Sequence, residues 1–433
     1  MRSTFRALRI RNYRIFMIGG VFSNIGTWMQ RVAQDWLVLQ LTDSGLALGI
    51  TTGLQMLPAL LLSPWAGAVA DRFPKRSVLR VTQVAMAVPA IVLGVLAVSG
   101  VAQAWHVYVV AFVFGCGTAF DTPARQSFVI EMVGPDDLAN AVGLNSGAFN
   151  VARLVGPALA GLLIAALGSG VSASGWVIML NGFSYLAVLM SLALLDPSRL
   201  APSPSSGRGR GKVREGLRYV RSRPDLMLIL ATVFFVGTFG MNFQMTSALM
   251  ATNVFHKGAG EYGILGSVMA IGSLGGALVA ARRERPRLRL VVGAALLFGV
   301  VELLSGLMPT YLTFALILPL LGVCSLTMAT AANATIQMTS SPAMRGRVAA
   351  LYLMVFMGGT PAGAPFIGWI GEVMGARWTL IIGGGASIVG IVVVVLLYLR
   401  AQGLTVRSQV TPISDALLRR RRGEVEEGLD LAG

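Results

Sequence analysis

Ionised side chains stand inside otherwise apolar stretches of this 433-residue chain: Arg31 and Asp35, Asp121 and Arg125, Arg153, and Glu302. Arg31 and Asp35 are four residues apart, as are Asp121 and Arg125, so each pair shares one helix face. A charge at the middle of a membrane helix costs about 2.5–3.5 kcal/mol on insertion scales, so each calls for a reason. One reason is structural: neutralised pairs, Asp121 with Arg153 foremost, hold helices together. The other is proton exchange, for which Asp35 with Arg31 as its partner is the first candidate. Asp35 lies about seven residues past the middle of its span, roughly 10 Å toward the outside at 1.5 Å per residue. At that depth a carboxylate can exchange its proton with the outer side whenever water reaches it. Asp121, with Arg153 nearer the midplane, is the rival site. Glu302 stands by itself in a span of the second half, snorkelling or packed against a neighbour. Enzyme chemistry finds no support: there is no nucleotide-binding loop, metal-ligand cluster or nucleophile–base arrangement, and no cofactor is called for. Cys116 and Cys324 fall in apolar runs as packing residues, and His106 and His256 at span ends.

The elements that must position these groups are membrane helices. Apolar residues make up 55% of the chain and charged residues 12%, with a mean hydropathy of +0.71; an ordinary soluble domain carries about 25% charged residues. Spans are expected near 15–41, 46–70, 79–99, 105–131, 139–167 and 175–195, and again near 226–254, 260–281, 289–308, 311–338, 344–371 and 377–400. This divides the chain into a first half (1–195), a basic linker (196–225), a second half (226–400) and a tail (401–433) that is disordered or a short surface helix. The linker is rich in Pro, Ser, Gly and Arg, the composition of a flexible tether. With both termini in the cytoplasm, only Lys257 and Arg377 of the 35 Lys and Arg fall outside, and Arg31 and Arg153 in the membrane. The net charge of +16 therefore reports topology and not a nucleic-acid partner. A shift of 207 residues lays Pro135 on Pro342, Gly156 on Gly363 and Gly161 on Gly368, so the halves repeat in parallel.

The charged link after the second span, Gly67-Ala-Val-Ala-Asp71-Arg72-Phe-Pro74-Lys75-Arg76, resembles the Gly-x-Leu-x-Asp-Arg-x-Gly-Arg-Arg loop of the major facilitator superfamily. Pro74 replaces the inner Gly and Val69 the Leu. Gly156-Pro157-x-x-Ala160-Gly161 is similar to the exporter signature of the fifth helix in that superfamily. The phrases around Phe5 to Arg14, Asp35-Trp-Leu-Val, Asp121-Thr-Pro-Ala-Arg125-Gln and Leu144 to Arg153 resemble the bacterial branch that includes the enterobactin exporter and macrolide efflux proteins.

The resemblance implies an all-α polytopic protein of the bacterial inner membrane, with twelve transmembrane helices in two pseudo-symmetric six-helix halves. It implies a monomeric secondary transporter moving a drug-like or siderophore-like amphipathic molecule outward in exchange for protons. An importer or lysophospholipid flippase on the same fold, and a non-transporting scaffold or sensor, are the alternatives. In that fold a cytoplasmic gate of crossed clamps is expected: Asp71 of the loop with the N-terminus of the eleventh span and its Arg345 and Arg347, and Asp136 or Asp137 with Arg282 or Arg283. Gln34, Asn145, Asn242, Phe243, Gln244, Asn333 and Gln337 are the candidates for the lining of the substrate cavity, with helix packing the alternative for each, and Glu302 would sit on a peripheral helix.

Overall fold

The computed structural model describes residues 5–201, 212–281, 288–342 and 344–402. All its regular elements are helical. The first half comprises α1 (Arg11–Thr42), α2 (Gly45–Arg72), α3 (Lys75–Val98), α4 (Ala104–Ala166) and α5 (Val171–Leu194). α6 (Lys212–Arg221) follows. The second half comprises α7 (Pro224–Phe235), α8 (Phe243–Leu249), α9 (Ala259–Ala281), α10 (Leu288–Gly306), α11 (Tyr311–Thr339), α12 (Arg345–Gly358), α13 (Thr360–Val373) and α14 (Ala376–Ala401). Among the described residues ten helical runs are long and apolar enough to cross a membrane. One of them is the 63-residue α4, which folds back on itself at Gly134, where φ is +70°. A positive φ of this kind is open to glycine at little cost, and Pro135 then restarts the helix as 135–166. The protein is a multi-pass α-helical membrane protein.

Local chemistry explains where the helices begin and end. Asp43, with φ +49°, closes α1 in the left-handed conformation, and the Ser44 hydroxyl accepts from the Ala47 amide to cap α2. α3 starts four residues earlier than its apolar run, at Lys75. The charges in that first turn are provided for: Lys75 pairs with Glu131 at 3.2 Å, and Arg76 donates to the carbonyls of Leu192 and Ala193 at the end of α5. The stretch expected as one seventh span is broken into α7, a π-helical turn (Val236–Gly240), α8 and a second π-helical turn (Met250–Val254). Asn242 sits at the break and donates to the carbonyls of Thr238 and Phe239 that the break sets free.

The linker is not tether throughout. α6 lies within it and is fastened to the second half by Glu215–Arg347 at 2.7 Å and by the Ser341 amide donating to the Tyr219 hydroxyl at 3.2 Å. That bond holds the Tyr219 phenol below its usual range. The tail beyond residue 402 lies outside the described residues.

The halves meet at one end of the bundle. At the end away from the linker, glycines of α2 lie against the backbone of α13: Gly45 on Gly368, Gly49 on Ala364 and Gly53 on Pro361. Gly161 and Pro157 of α4 lie likewise against Gly263 of α9. Small residues are needed there because the backbones approach too closely for side chains. Between described residues, the hydrogen bonds that join the halves all belong to this far region: Ser44 and Leu46 with Glu372, Ser267 with the Leu154 carbonyl, and Gln244 and Tyr262 with Asp35. Toward the linker end, Gly143, Gly147 and Gly346 face open space. The hydrogen bonds that join the halves thus gather in a far-end seal, and none between described residues joins them at the linker end.

Candidate functional site

Asp35 is at the centre of the seal. It is 4% exposed on α1, and its Oδ2 accepts from Gln244 Nε2 at 2.8 Å and from the Tyr262 hydroxyl at 2.9 Å. Both donors belong to the second half, one on α8 and one on α9. The Tyr262 ring also stacks on Trp36, with centroids 6.4 Å apart and planes 21° apart. A single carboxylate oxygen therefore ties the two halves together through charge-assisted bonds. The expected partner Arg31 acts on Asp35 electrostatically through space, but makes no ion-pair contact or hydrogen bond with it among the described residues. The physical reason is that Arg31 turns to an aromatic face, with its guanidinium 4.9 Å from the Trp28 ring centroid. Its Nε is buried with no hydrogen-bond partner.

Arg153, expected opposite Asp121, takes the same ring from another side, 5.9 Å from its centroid. Trp28 in turn meets Phe149 edge-on at 5.8 Å. Asp121 is claimed elsewhere. Arg125 donates to it at 2.8 Å from the same helix, and Thr82 and Gln83 of α3 donate at 2.9 and 2.8 Å. Arg125 also lies over Phe16 of α1 at 5.3 Å. This cluster satisfies every charge it buries and fastens α1, α3 and α4, which is how ion pairs act as structural elements.

The other expected site residues are dispersed. Gln34 is buried between α1 and α4, donating to the Val107 carbonyl at 3.4 Å, and so belongs to the core of the first half. Asn145 is half-buried on 135–166, beside the open space at Gly143 and Gly147. Asn242 braces the helix break described above, and Phe243 stacks on Phe314 at 6.5 Å. Asn333 and Gln337 bond to each other at 3.1 Å on an exposed face of α11. Gly156 lies against Trp28 and Ile25 of α1, and Gly161 against α9, so the glycines of the Gly156-Pro157-x-x-Ala160-Gly161 phrase serve close packing. Glu302 is 1% exposed with Oε2 unpartnered, held near Gly240 and Gly383.

At the linker end the charges pair within each half. Asp137 meets Arg6 at 2.5 Å, Lys75 meets Glu131, and Arg347 meets Glu215. Asp71 is half-buried with no ion pair among the described residues, Asp136 and Arg345 are exposed, and the Arg72 guanidinium lies 6.0 Å from the Phe73 ring centroid. Gly67 is buried in α2. Arg282 and Arg283 lie outside the described residues. The crossed clamp of Asp71 with Arg345 and Arg347 is therefore not formed in this conformation. His106 accepts from the Gln103 amide at 2.9 Å, within the first turn of α4.

Sequence reasoning missed Tyr262, Trp28 and Ser267. Tyr262 is a lone tyrosine in an apolar helix, which by itself calls for a partner, and Trp28 precedes Arg31 by three residues, on the same face. Ser267 carries no such signal.

A family profile described as transmembrane secretion effector matches residues 2–430. The staphyloferrin A transporter of Staphylococcus aureus (strain NCTC 8325 / PS 47) is 26% identical over 372 residues, covering 84% of this chain and 90% of its own. The multidrug efflux pump Tap of Mycolicibacterium fortuitum is 27% identical over 383 residues, covering 85% and 91%. Among solved structures, a bacterial homologue of the human lysosomal transporter Spinster, inward-facing and occupied, superposes with a TM-score of 0.68 at 17% identity, covering 92% of this chain and 98% of that one.

Proposed function

The chain belongs to the transmembrane secretion effector family of the major facilitator superfamily, and from that premise we propose that it is a proton-driven exporter of amphipathic small molecules. It is a transporter and not an enzyme. In our reading it works as a monomer in the bacterial inner membrane with its basic linker end in the cytoplasm, which the distribution of Lys and Arg supports. The described conformation is then inward-open, with the cavity facing the cytoplasm and the Asp35 seal facing outward.

The observation that carries the reading is the pair of bonds from Gln244 and Tyr262 to Asp35. Sealing an ionised carboxylate inside the membrane carries a desolvation cost. A proton taken up from outside while the seal is open removes that cost. Once Gln244 and Tyr262 are in place they hold the carboxylate, which accepts both bonds, and the proton leaves toward the cytoplasmic cavity. Substrate entering that cavity must then loosen the seal for the halves to rock the other way. Asp121, held by three donors within the first half, has no comparable link to the second half.

The test is efflux in everted membrane vesicles or proteoliposomes, with and without a proton gradient, across a panel of amphipathic compounds. Asp35→Asn is expected to abolish gradient-driven movement while the protein still inserts and binds substrate, and Asp35→Glu to keep part of it. Normal export and substrate-induced proton release by Asp35→Asn would refute the assignment.

A further inference from the structure

Arg31 and Arg153 share one aromatic ring, and neither is in ion-pair contact with a carboxylate among the described residues. Their guanidinium carbons lie 4.9 and 5.9 Å from the centroid of Trp28. The nearby acids do not balance both of them. Asp35, one turn along α1, acts on Arg31 through space while its hydrogen bonds come from Gln244 and Tyr262, and Asp121 is already paired with Arg125, so two cations share one carboxylate. Cation–π contact offsets only part of the cost of such charges, which leaves two like charges poorly compensated in a membrane interior. Arg31 Nε, buried and without a hydrogen-bond partner, is a donor still to be used.

The place of these groups matters as much as their charge. Arg153 adjoins Leu154, whose carbonyl accepts from Ser267 across the seal. Arg31 stands one turn from Asp35, on the side away from the far end. Both therefore sit on the linker side of the seal, where the cavity of the inward-open reading would end. Phe149, 46% exposed, meets Trp28 edge-on and faces the same region. Guanidinium groups supply forked donors that match a carboxylate, and the indole and phenyl groups supply a surface on which an aromatic ring stacks.

Resting on the transporter reading above, we propose that Arg31, Arg153, Trp28 and Phe149 form the anion subsite of the central cavity, and that the preferred substrates are aromatic molecules bearing a carboxylate. The anion supplies the missing counter-charge, and the basic pair selects it over the uncharged molecule of the same shape.

The probe is 7-diethylaminocoumarin-3-carboxylate against its neutral carboxamide, each titrated into the purified full-length protein in detergent and followed by fluorescence anisotropy. No gradient is involved, so binding is read independently of whether the protein exports. The acid is expected to bind about tenfold or more tightly than the amide, with a preference that falls as salt rises. Arg153→Gln and Arg31→Gln should each remove most of that preference, and Arg153→Lys should keep part of it. Elution as a single species and an unchanged unfolding midpoint report that each variant is folded. Trp28→Leu should weaken both probes together and leave their ratio near the wild-type value. Equal binding of acid and amide by the wild type, or an undiminished preference in folded Arg→Gln variants, would overturn the proposal. Failure of vesicle efflux together with a retained acid preference would sink the exporter reading and leave the anion subsite standing.

Discussion

Tyr262→Phe removes one oxygen from the seal and little else. The ring that stacks on Trp36 stays, as does the bond from Gln244, so the change isolates the 2.9 Å bond from the hydroxyl to Asp35. A hydrogen bond to a charged group contributes about 1.5–3 kcal/mol. Tyr262 is 2% exposed and Asp35 4%, so water does little to replace the lost donor. At 1.4 kcal/mol per factor of ten, the balance between sealed and unsealed far ends should move about 10- to 100-fold toward unsealed. The assay is single-molecule energy transfer between dyes on cysteines introduced at Ser99 and Lys257, which stand at the far end of the first and second halves. In the wild type the short-distance population should dominate, and in Tyr262→Phe the long-distance population should rise by that factor. Gln244→Ala should act in the same direction, with the two changes coupled because they share one acceptor atom. A distance distribution unchanged by Tyr262→Phe would show that the Asp35 bonds do not hold the seal, and the reasoning fails with it.

Three further outcomes follow from the packing. A side chain at Gly263 meets the Pro157 carbonyl, so Gly263→Leu should prise the seal and raise labelling of a cysteine at Ser267 by an impermeant maleimide from the far side; unchanged labelling would contradict the close approach. Lys75 and Glu131 are largely buried at 13% and 12%, so Lys75→Met should destabilise by about 3–5 kcal/mol, seen as a lower unfolding midpoint in detergent, and adding Glu131→Leu should recover much of it. Glu302 has no cation partner among the described residues and a free Oε2, so Glu302→Gln should leave the midpoint equal or higher; a marked fall would reveal a bond this carboxyl makes as an acid.

The fold was legible because membrane helices announce themselves through length, hydropathy and the side on which Lys and Arg collect. The boundaries that moved did so where charge is satisfied inside a helix, as at Lys75 and Arg76, or where polar side chains repair a break, as at Asn242. Such repairs depend on neighbours distant in the chain and leave no local signal. The site was legible in part for the same reason. Buried charges could be picked out, since each is costly, but not their partners: Asp35 finds donors more than 200 residues away, whereas Asp121 takes the Arg125 beside it and leaves Arg153 to an indole. Gln34 and Asn145 looked alike as polar residues in apolar spans, yet one lies in a helix contact and the other beside open space, a difference that only rotation about the helix axis decides.

The docking of α6 sets the mechanical slack between the halves. On one side the chain is held as far as Ala201, whose amide donates to the Glu131 carbonyl at 2.9 Å; on the other, Glu215 and Tyr219 fasten it to the second half. The covalent connection between those anchors is the run from Ala201 to Lys212. At roughly 3.3–3.6 Å per residue its fully extended reach is about 35–40 Å. That reach is the upper limit on how far the two anchors can separate when one half rocks against the other. Short of that limit a covalent connection does not oppose rocking, and the energetics of switching then rest with the contacts between the halves. A chain severed between residues 201 and 212 should accordingly yield two pieces that reassemble into a working carrier, provided that α6 is kept on the second piece.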